Sequence, residues 1–185
     1  MNPPAAILII DMQKGSFTPK TPRYDAVSTV ERINEIAHQF RLLNWPVIHI
    51  QHDGSGSGAF EKGAWDWEVL DELHIADSDL QIDKTANDVF YQSSLLPELK
   101  KIRVRNLYIS GCATDFYVES SIQSALSKDF HITVISDGHT TGERPQLIAK
   151  QVIDHYNWVW QNMLPTQGFI KVMSKIEILQ DLEKS

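Results

Sequence analysis

Cysteine is nearly absent from this chain of 185 residues, because Cys112 is the only one. A single thiol excludes an internal disulfide and a zinc site built from several cysteines. No apolar run approaches the length of about 20 residues that a membrane-spanning helix needs. A long basic block is missing too, and the net charge is −7. This balance argues against a nucleic-acid partner and against a membrane.

The remaining composition is that of an ordinary globular protein. Hydrophobic residues make up 42% and charged residues 22% of the chain. The length suits one domain with a full-sized core, so we predict a single domain over residues 1–185. The apolar run near the N-terminus is short, has no charged segment before it and is followed at once by Asp11, which does not resemble a signal peptide. We therefore expect a cytoplasmic protein.

Short apolar runs alternate along the chain with longer segments of helical periodicity. The run AAILII is continuous and apolar, as in a strand that is buried on both faces. The segment that follows has apolar residues at helical spacing, namely Val27, Val30, Ile33, Ile36, Ala37 and Phe40. Repeated alternation of this kind predicts an α/β fold, a doubly wound sheet of about six parallel strands with helices on both faces. We also predict a late helix over RPQLIAKQVIDHYNWVWQNM, with Pro145 near its first turn.

Polar residues follow several predicted strands at their carboxyl ends, where open parallel sheets bind ligands. Asp11 ends the first strand and Lys84 ends the third, and the polar run at Asp137 and GHTT follows the fifth. An ionised Asp11 behind four aliphatic residues needs a partner, and Lys84 is the available cation. Such a pair can be purely structural, but its position at the ligand edge favours a functional one.

The segment GCATDFYV follows the predicted fourth strand and reads as a tight turn that opens a helix. Gly111 permits a close backbone approach, and Thr114 suits the cap of the helix. Residue 117 then lies one turn into the helix, near its exposed amides and positive dipole end. Those amides can hold a developing oxyanion.

Three segments together resemble the signature segments of the isochorismatase-like cysteine hydrolases: ILIIDMQKGSF, IDKTANDVFYQSSL and ISGCATDFYVESSIQSAL. The resemblance covers nearly the whole chain and implies a six-stranded sheet of Rossmann-like order. It implies that Asp11 is the general base and Lys84 its charge partner. It also implies that Cys112, Ala113 and Thr114 form the oxyanion-hole turn, often through a non-proline cis peptide.

The chain departs from that family at its nucleophile, because the catalytic cysteine falls at the position of Tyr117. Cys112 matches an apolar position after the glycine, so we interpret it as a core residue, with a substitute nucleophile as the weaker alternative. For a phenol to be half ionised at pH 7 its pKa must fall by about 3, roughly twice the fall that a thiol requires. Family members that lack the cysteine and hydrolyse a vinyl ether carry a small residue at this position.

The expected pocket has no metal and no cofactor. Gln13, Phe17, His52 and Trp65 are expected to line the substrate pocket. Residues 51–73 form a long Gly-rich stretch that we interpret as a functional loop, with GSGSG as a hinge or flexible lid. A metal is not expected, because His49 and His52 lie three apart on a strand and point to opposite faces.

The sequence thus predicts a hydrolase of a small metabolite, acting on an amide, carbamoyl or vinyl-ether bond. The alternative is a catalytically silent binding or regulatory protein of the same fold, with Tyr117 filling the nucleophile pocket. Trp158 and Trp160 lie two apart on one helix and cannot both face the core. We therefore expect one of them to meet a second subunit in a homo-oligomer.

Overall fold

A computed structural model describes residues 5–184 and contains one parallel sheet in that range. Its order is β3-β2-β1-β4-β5-β6, and all neighbouring strands run parallel. The strands are β1 (Ala5–Ile10), β2 (Val47–His52), β3 (Leu80–Lys84), β4 (Asn106–Cys112), β5 (His131–Thr140) and β6 (Ile170–Met173). This Rossmann-like order confirms the predicted fold. The order reverses between β1 and β4, which is where a ligand site is expected.

Helices cover both faces of the sheet. They are α1 (Ala26–Leu42), α2 (Leu95–Lys101), α3 (Glu119–Leu126), α4 (Ala149–Gln161) and α5 (Lys175–Leu182). Alternate residues of β1 point to opposite faces. Leu8 and Ile10 pack with α2, α3 and α4, whereas Ile7 and Ile9 pack with α1 and α5. Within residues 5–184, no helix is long and apolar enough to cross a membrane.

Three local expectations differ from the structure. The fifth strand runs four residues beyond HITVIS, because an irregularity in its pairing with β4 lets the chain rejoin the ladder at His139, opposite Gly111. Helix α4 begins at Ala149 rather than near Pro145, since the preceding residues form a loop that holds Arg144 against Asp115. Val27 is not part of the core: it is 74% exposed in the first turn of α1.

Candidate active site

Asp11 and Lys84 meet at the carboxyl end of the sheet. Asp11 directly follows β1 with a backbone φ of 49°, a left-handed conformation that Asp tolerates better than most residues. Lys84 ends β3 and reaches across the intervening strand, so that its Nζ lies 2.6 Å from Asp11 Oδ2. Both residues are at most 2% exposed. The sheet therefore joins two groups that are 73 residues apart in the sequence.

The carboxyl of Asp11 is poised between its two protonation states near neutral pH. Burial raises the pKa of Asp11 to about 6, although the Lys84 ammonium acts in the opposite direction. Burial likewise lowers the pKa of Lys84, and Asp11 opposes that effect. Lys84 Nζ also donates to the carbonyl of Ala86 at 3.0 Å. Asp11 Oδ1 is buried and makes no hydrogen bond of normal geometry among the described residues, although the nearby backbone of His52 also lowers the pKa of the carboxyl.

The ring of Tyr117 lies over the ammonium of Lys84. Lys84 Nζ is 4.3 Å from the centroid of its ring, a cation–π contact. The imidazole of His52 stacks on the Tyr117 ring at a centroid distance of 6.1 Å. Burial raises the pKa of the Tyr117 phenol, and the negative charge of Asp11 raises it further. The phenol is therefore neutral at physiological pH, which disfavours a phenolate nucleophile.

Cys112 belongs to the core. Its side chain is 1% exposed and packs in the apolar cluster beneath α1, on the sheet face opposite the cluster that Tyr117 contacts. Burial raises the pKa of the Cys112 thiol to about 12. A buried thiol that stays protonated at neutral pH is a poor nucleophile, which supports the core interpretation.

The turn after β4 is held tightly against β1. Gly111 has a φ of +124°, and a Cβ there would lie 2.1 Å from the carbonyl oxygen of Ile10, so glycine is required. The close backbone approach that Gly111 permits is therefore an approach to the neighbouring strand β1. The peptide bond between Cys112 and Ala113 is cis, as the family resemblance implies. A π-helical turn, Thr114–Val118, then leads into α3.

A buried chain of hydrogen bonds supports that turn from β5 and α4. Asn157 Nδ2 donates to the carbonyl of Ser136 at 2.9 Å, which leaves its Oδ1 to accept from His139 Nε2 at 3.0 Å. His139 Nδ1 then accepts from the hydroxyl of Thr114 at 2.8 Å. Burial lowers the pKa of His139 to about 4, so the imidazole is neutral, as this pattern requires. His139 positions the turn rather than serving as a base.

Asp115 anchors the outer side of the same turn. Its carboxylate accepts two bonds from Arg144, at 2.7 and 2.9 Å, and one from Thr141 at 2.7 Å. Although burial opposes the change, the hydrogen bonds from Arg144 and Thr141 hold the pKa of Asp115 below its usual range. Sequence reasoning noted GHTT at the end of the fifth strand but missed the roles of His139 and Arg144. The polar run GHTT at the end of the strand was the sequence feature that pointed to a structural role here.

The four expected pocket residues separate in the structure. His52 contacts Tyr117, and Phe60 meets His52 edge-on at a ring distance of 6.2 Å. Gln13 is fully buried, and its amide bonds the backbone of His52 and the carbonyl of Trp67, so it fixes the backbone. Phe17 packs on the α1 side of the sheet, and Trp65 is 61% exposed. Of the four, His52 has a ring contact that joins it to the Asp11–Lys84–Tyr117 group.

The long loop after β2 is hydrogen-bonded to the end of β2 and to the segment after β1 through residues 66–70. Met12 and Lys14 form backbone bonds to Leu70 and Glu68, and Gln51 donates to the carbonyl of Trp67 at 3.0 Å. A Cβ at Gly15 would lie 2.8 Å from the side chains of Asp66 and Phe60. In this loop, the Cβ positions of Gly56, Gly58 and Gly63 have open space around them. Residues 5–184 contain no group of three His, Cys, Asp or Glu side chains that could hold a metal ion.

Comparison with known proteins identifies the family. The model of the isochorismatase domain matches residues 5–166. The chain belongs to the isochorismatase family. An isochorismatase family protein of known structure is 26% identical, with a TM-score of 0.84 over 92% of this chain and 98% of that one. The N-carbamoylsarcosine amidase of Thermoplasma acidophilum shares the fold, with a TM-score of 0.75 at 20% identity over 93% of this chain and 96% of that one.

Curated relatives of this isochorismatase-family chain include amidohydrolases. The ureidoacrylate amidohydrolase RutB of Caulobacter segnis is 31% identical over 103 residues, which cover 53% of this chain and 42% of the relative. That of Agrobacterium fabrum is 32% identical over 103 residues, covering 53% of this chain and 44% of the relative. The matches span less than half the length of these relatives.

Proposed function

We propose that this protein hydrolyses a small metabolite by proton transfer through Asp11, without a covalent enzyme intermediate. The observation that carries the proposal is the buried pair of Asp11 and Lys84, joined at 2.6 Å, with the second carboxyl oxygen of Asp11 making no hydrogen bond of normal geometry in the described part of the chain. A desolvated carboxyl with a pKa of about 6 is suited to general acid–base catalysis at neutral pH.

The proposed nucleophile is water, because neither candidate side chain is ionised. The Asp11 carboxylate takes a proton from water, whose oxygen forms a bond to the carbonyl carbon while the carbonyl π electrons move to oxygen. The resulting oxyanion is stabilised by backbone amides of the turn at Cys112, Ala113 and Thr114. When the C–N bond breaks, the proton held by Asp11 passes to the leaving nitrogen. Lys84 orients Asp11 and offsets its charge in this scheme.

An amide or carbamoyl bond is the favoured substrate, because the curated relatives are named as ureidoacrylate amidohydrolases. A ureido group offers a carbonyl carbon to water and a nitrogen leaving group. A vinyl ether is the other class, and there Asp11 must donate a proton before water adds. The two classes predict opposite pH profiles.

The test compares amide, carbamoyl and vinyl-ether panels with the natural protein, Asp11→Asn and Cys112→Ala. Asp11→Asn is expected to lower kcat/KM by about 10²–10⁴-fold, the usual contribution of a general acid or base. Cys112→Ala is the matched control and is expected to retain turnover. Amide hydrolysis is expected to rise with pH through about 6, as Asp11 ionises. If the rate of hydrolysis instead falls above about pH 6, Asp11 acts in its protonated form as a general acid, which favours a vinyl ether as the substrate.

A catalytically silent binding protein is the second candidate, favoured by the position of Tyr117. Its ring covers Lys84 at 4.3 Å and stacks on His52, so it fills space beside the acid–base pair. Tyr117→Cys separates the two candidates. Hydrolysis that is gained only in this variant supports the silent protein, whereas natural activity that Asp11→Asn abolishes supports the hydrolase.

We further infer that α4 meets a second copy of this chain. Trp160 is fully buried in the core, whereas Trp158 on the same helix is 65% exposed. Ile148, directly before the helix, is 56% exposed. Large exposed apolar side chains of this kind are common at subunit contacts.

A further inference from the structure

Arg23 is a partly buried cation that forms no ion pair with a carboxylate of residues 5–184. Its Nε donates to the carbonyl of Ser16 at 2.7 Å. No carboxylate of residues 5–184 forms an ion pair with it, in contrast to Arg144, whose charge is taken up by Asp115. The positive charge of Arg23 is therefore available to a bound anion.

The segment that carries Arg23 is fixed to the strand end beside the oxyanion turn. Tyr24 N donates to the carbonyl of Thr141 at 3.0 Å, and the hydroxyl of Thr140 donates to the carbonyl of Tyr24 at 2.6 Å. Thr140 in turn pairs with Cys112 across the sheet. Arg23 is thus held at the same edge of the sheet as the candidate active site.

Two guanidinium groups converge where Gly142 has no side chain. A Cβ at Gly142 would lie 3.0 Å from Arg23 Nη1 and 3.6 Å from Arg144 Nη1. Burial raises the pKa of the Tyr117 phenol, and the Arg23 guanidinium acts in the opposite direction, as a charge close to the ring would. The backbone of residue 142 thus lies between the two guanidinium groups, with the carbonyl oxygen of Pro22 3.2 Å from the same Cβ position, and Arg23 is the one of the two that has no carboxylate partner among residues 5–184.

We propose that Arg23 binds a carboxylate of the substrate, with the Arg144 guanidinium beside it. This inference deepens the proposed function and rests on it. Arginine presents a planar fork that matches a carboxylate with two charge-assisted hydrogen bonds. The substrate is then a small acid, such as a ureido acid, whose anionic end is held by Arg23 while its carbonyl faces Asp11. A neutral ureide lacks this anchor.

Binding is measured by calorimetry in the Asp11→Asn background, which prevents turnover. The probes are 3-ureidopropionate and its primary amide, which differ only in the charge of one end. The acid is expected to bind at least about tenfold more tightly than the amide, since a hydrogen-bonded charge is worth roughly 1.5–3 kcal/mol. Adding Arg23→Gln is expected to remove most of this preference, and Arg23→Lys to keep part of it. Arg105→Gln, an exposed arginine at the other end of the sheet, is the matched control.

The ratio of the affinities for the acid and the amide separates an anchoring role of Arg23 from a structural one. If Arg23 merely supports the loop at Ser16, Arg23→Gln lowers the melting temperature but changes the binding of acid and amide equally, which overturns the proposal. Equal binding of both probes before Arg23 is changed, or binding of neither, also overturns it. Selective binding of the acid without turnover by the natural protein supports the anchor and refutes the hydrolase. Turnover without a preference for the acid refutes the anchor alone.

Discussion

At the scale of single residues, the site depends on a buried ion pair whose members stabilise each other. Asp11 and Lys84 are both buried, and each has its pKa displaced toward the neutral form by that burial. Lys84 also faces the ring of Tyr117 at 4.3 Å. Loss of either partner leaves an uncompensated charge in the interior, which is far more costly than loss of both.

We expect Asp11→Asn and Lys84→Met each to lower the free energy of unfolding by about 3–5 kcal/mol, the cost of one unpaired buried charge. The double variant is expected to lose much less than the sum of the two. Urea unfolding of the four proteins measures this coupling. The exposed pair of Lys150 and Asp154 on α4 is the control cycle, with an expected coupling of about 0.3–0.5 kcal/mol. Additive losses at Asp11 and Lys84 would contradict the pair's mutual stabilisation.

His139 gives a second prediction at this scale, through its buried neutral imidazole. Its pKa of about 4 in the folded protein lies below the ordinary value of 6.5, so the unfolded chain binds more protons between these values. The stability that this group contributes is present above pH 6.5 and is lost as the pH falls toward 4. The His139→Asn variant has no imidazole at this position and therefore does not lose stability in this way. We expect the stability gap between the natural protein and the variant to narrow by about 2 kcal/mol from pH 7 to pH 5.

Urea unfolding at both pH values measures the gap. Asp11 acts in the opposite direction over part of this range, since its raised pKa makes the folded protein bind more protons between 3.8 and about 6. Because Asp11 is present in both proteins, its contribution cancels in the comparison. A gap that is constant or widens at pH 5 would show that His139 is not held neutral.

At the scale of elements, the turn from β4 into the π-helical segment is built by strand register and one glycine. Gly111 pairs with Ile10 on one side and with His139 on the other, so the turn is fixed between β1 and β5. These pairings bring Asp11, Thr114 and His139 to one edge of the sheet. The site is therefore a consequence of where three neighbouring strands end.

Gly111→Ala is expected to destabilise the protein severely, by on the order of 4 kcal/mol or more, because the new Cβ overlaps the Ile10 backbone. Gly58→Ala is the matched control. Gly58 also has a positive φ of +82° but nothing within 4 Å of its Cβ position, so the expected loss is about 1–2 kcal/mol. Thermal and urea unfolding distinguish the two. Equal losses would mean that φ alone, and not contact with β1, requires the glycine.

Sequence patterns predicted the elements that depend on local periodicity and missed the features that depend on tertiary contacts. The buried first strand and the position of Asp11 at its end follow from an apolar run that stops at a charge, whereas Lys84 ends the weaker, mixed run LQID. The extension of β5 to His139 does not, because it arises from a pairing irregularity with β4. The displaced start of α4 likewise reflects the bond between Arg144 and Asp115, which no local pattern near Pro145 reveals.

At the scale of the whole molecule, the surface carries an unexplained apolar feature beside a well-filled core. Trp158 is 65% exposed although Trp160, two residues later, is fully buried with its Nε1 donating to Glu119. Helical geometry explains the difference, since residues two apart point about 200° apart around the axis. The pattern predicted that one of the two tryptophans faces outward, and the outward one is Trp158. It is the residue on which the proposed subunit contact can be tested.

Light scattering coupled to size-exclusion chromatography tests that contact. We expect the natural protein to elute as a homo-oligomer and Trp158→Glu to dissociate it at the same concentration, because a carboxylate would be desolvated in an apolar contact. Trp65→Glu is the matched control, since Trp65 is 61% exposed but lies in the loop after β2, away from α4. A monomeric natural protein, or an oligomer that Trp158→Glu leaves intact, would refute the contact. If only the Trp65 variant dissociates, the subunit contact lies on the loop after β2 and not on α4.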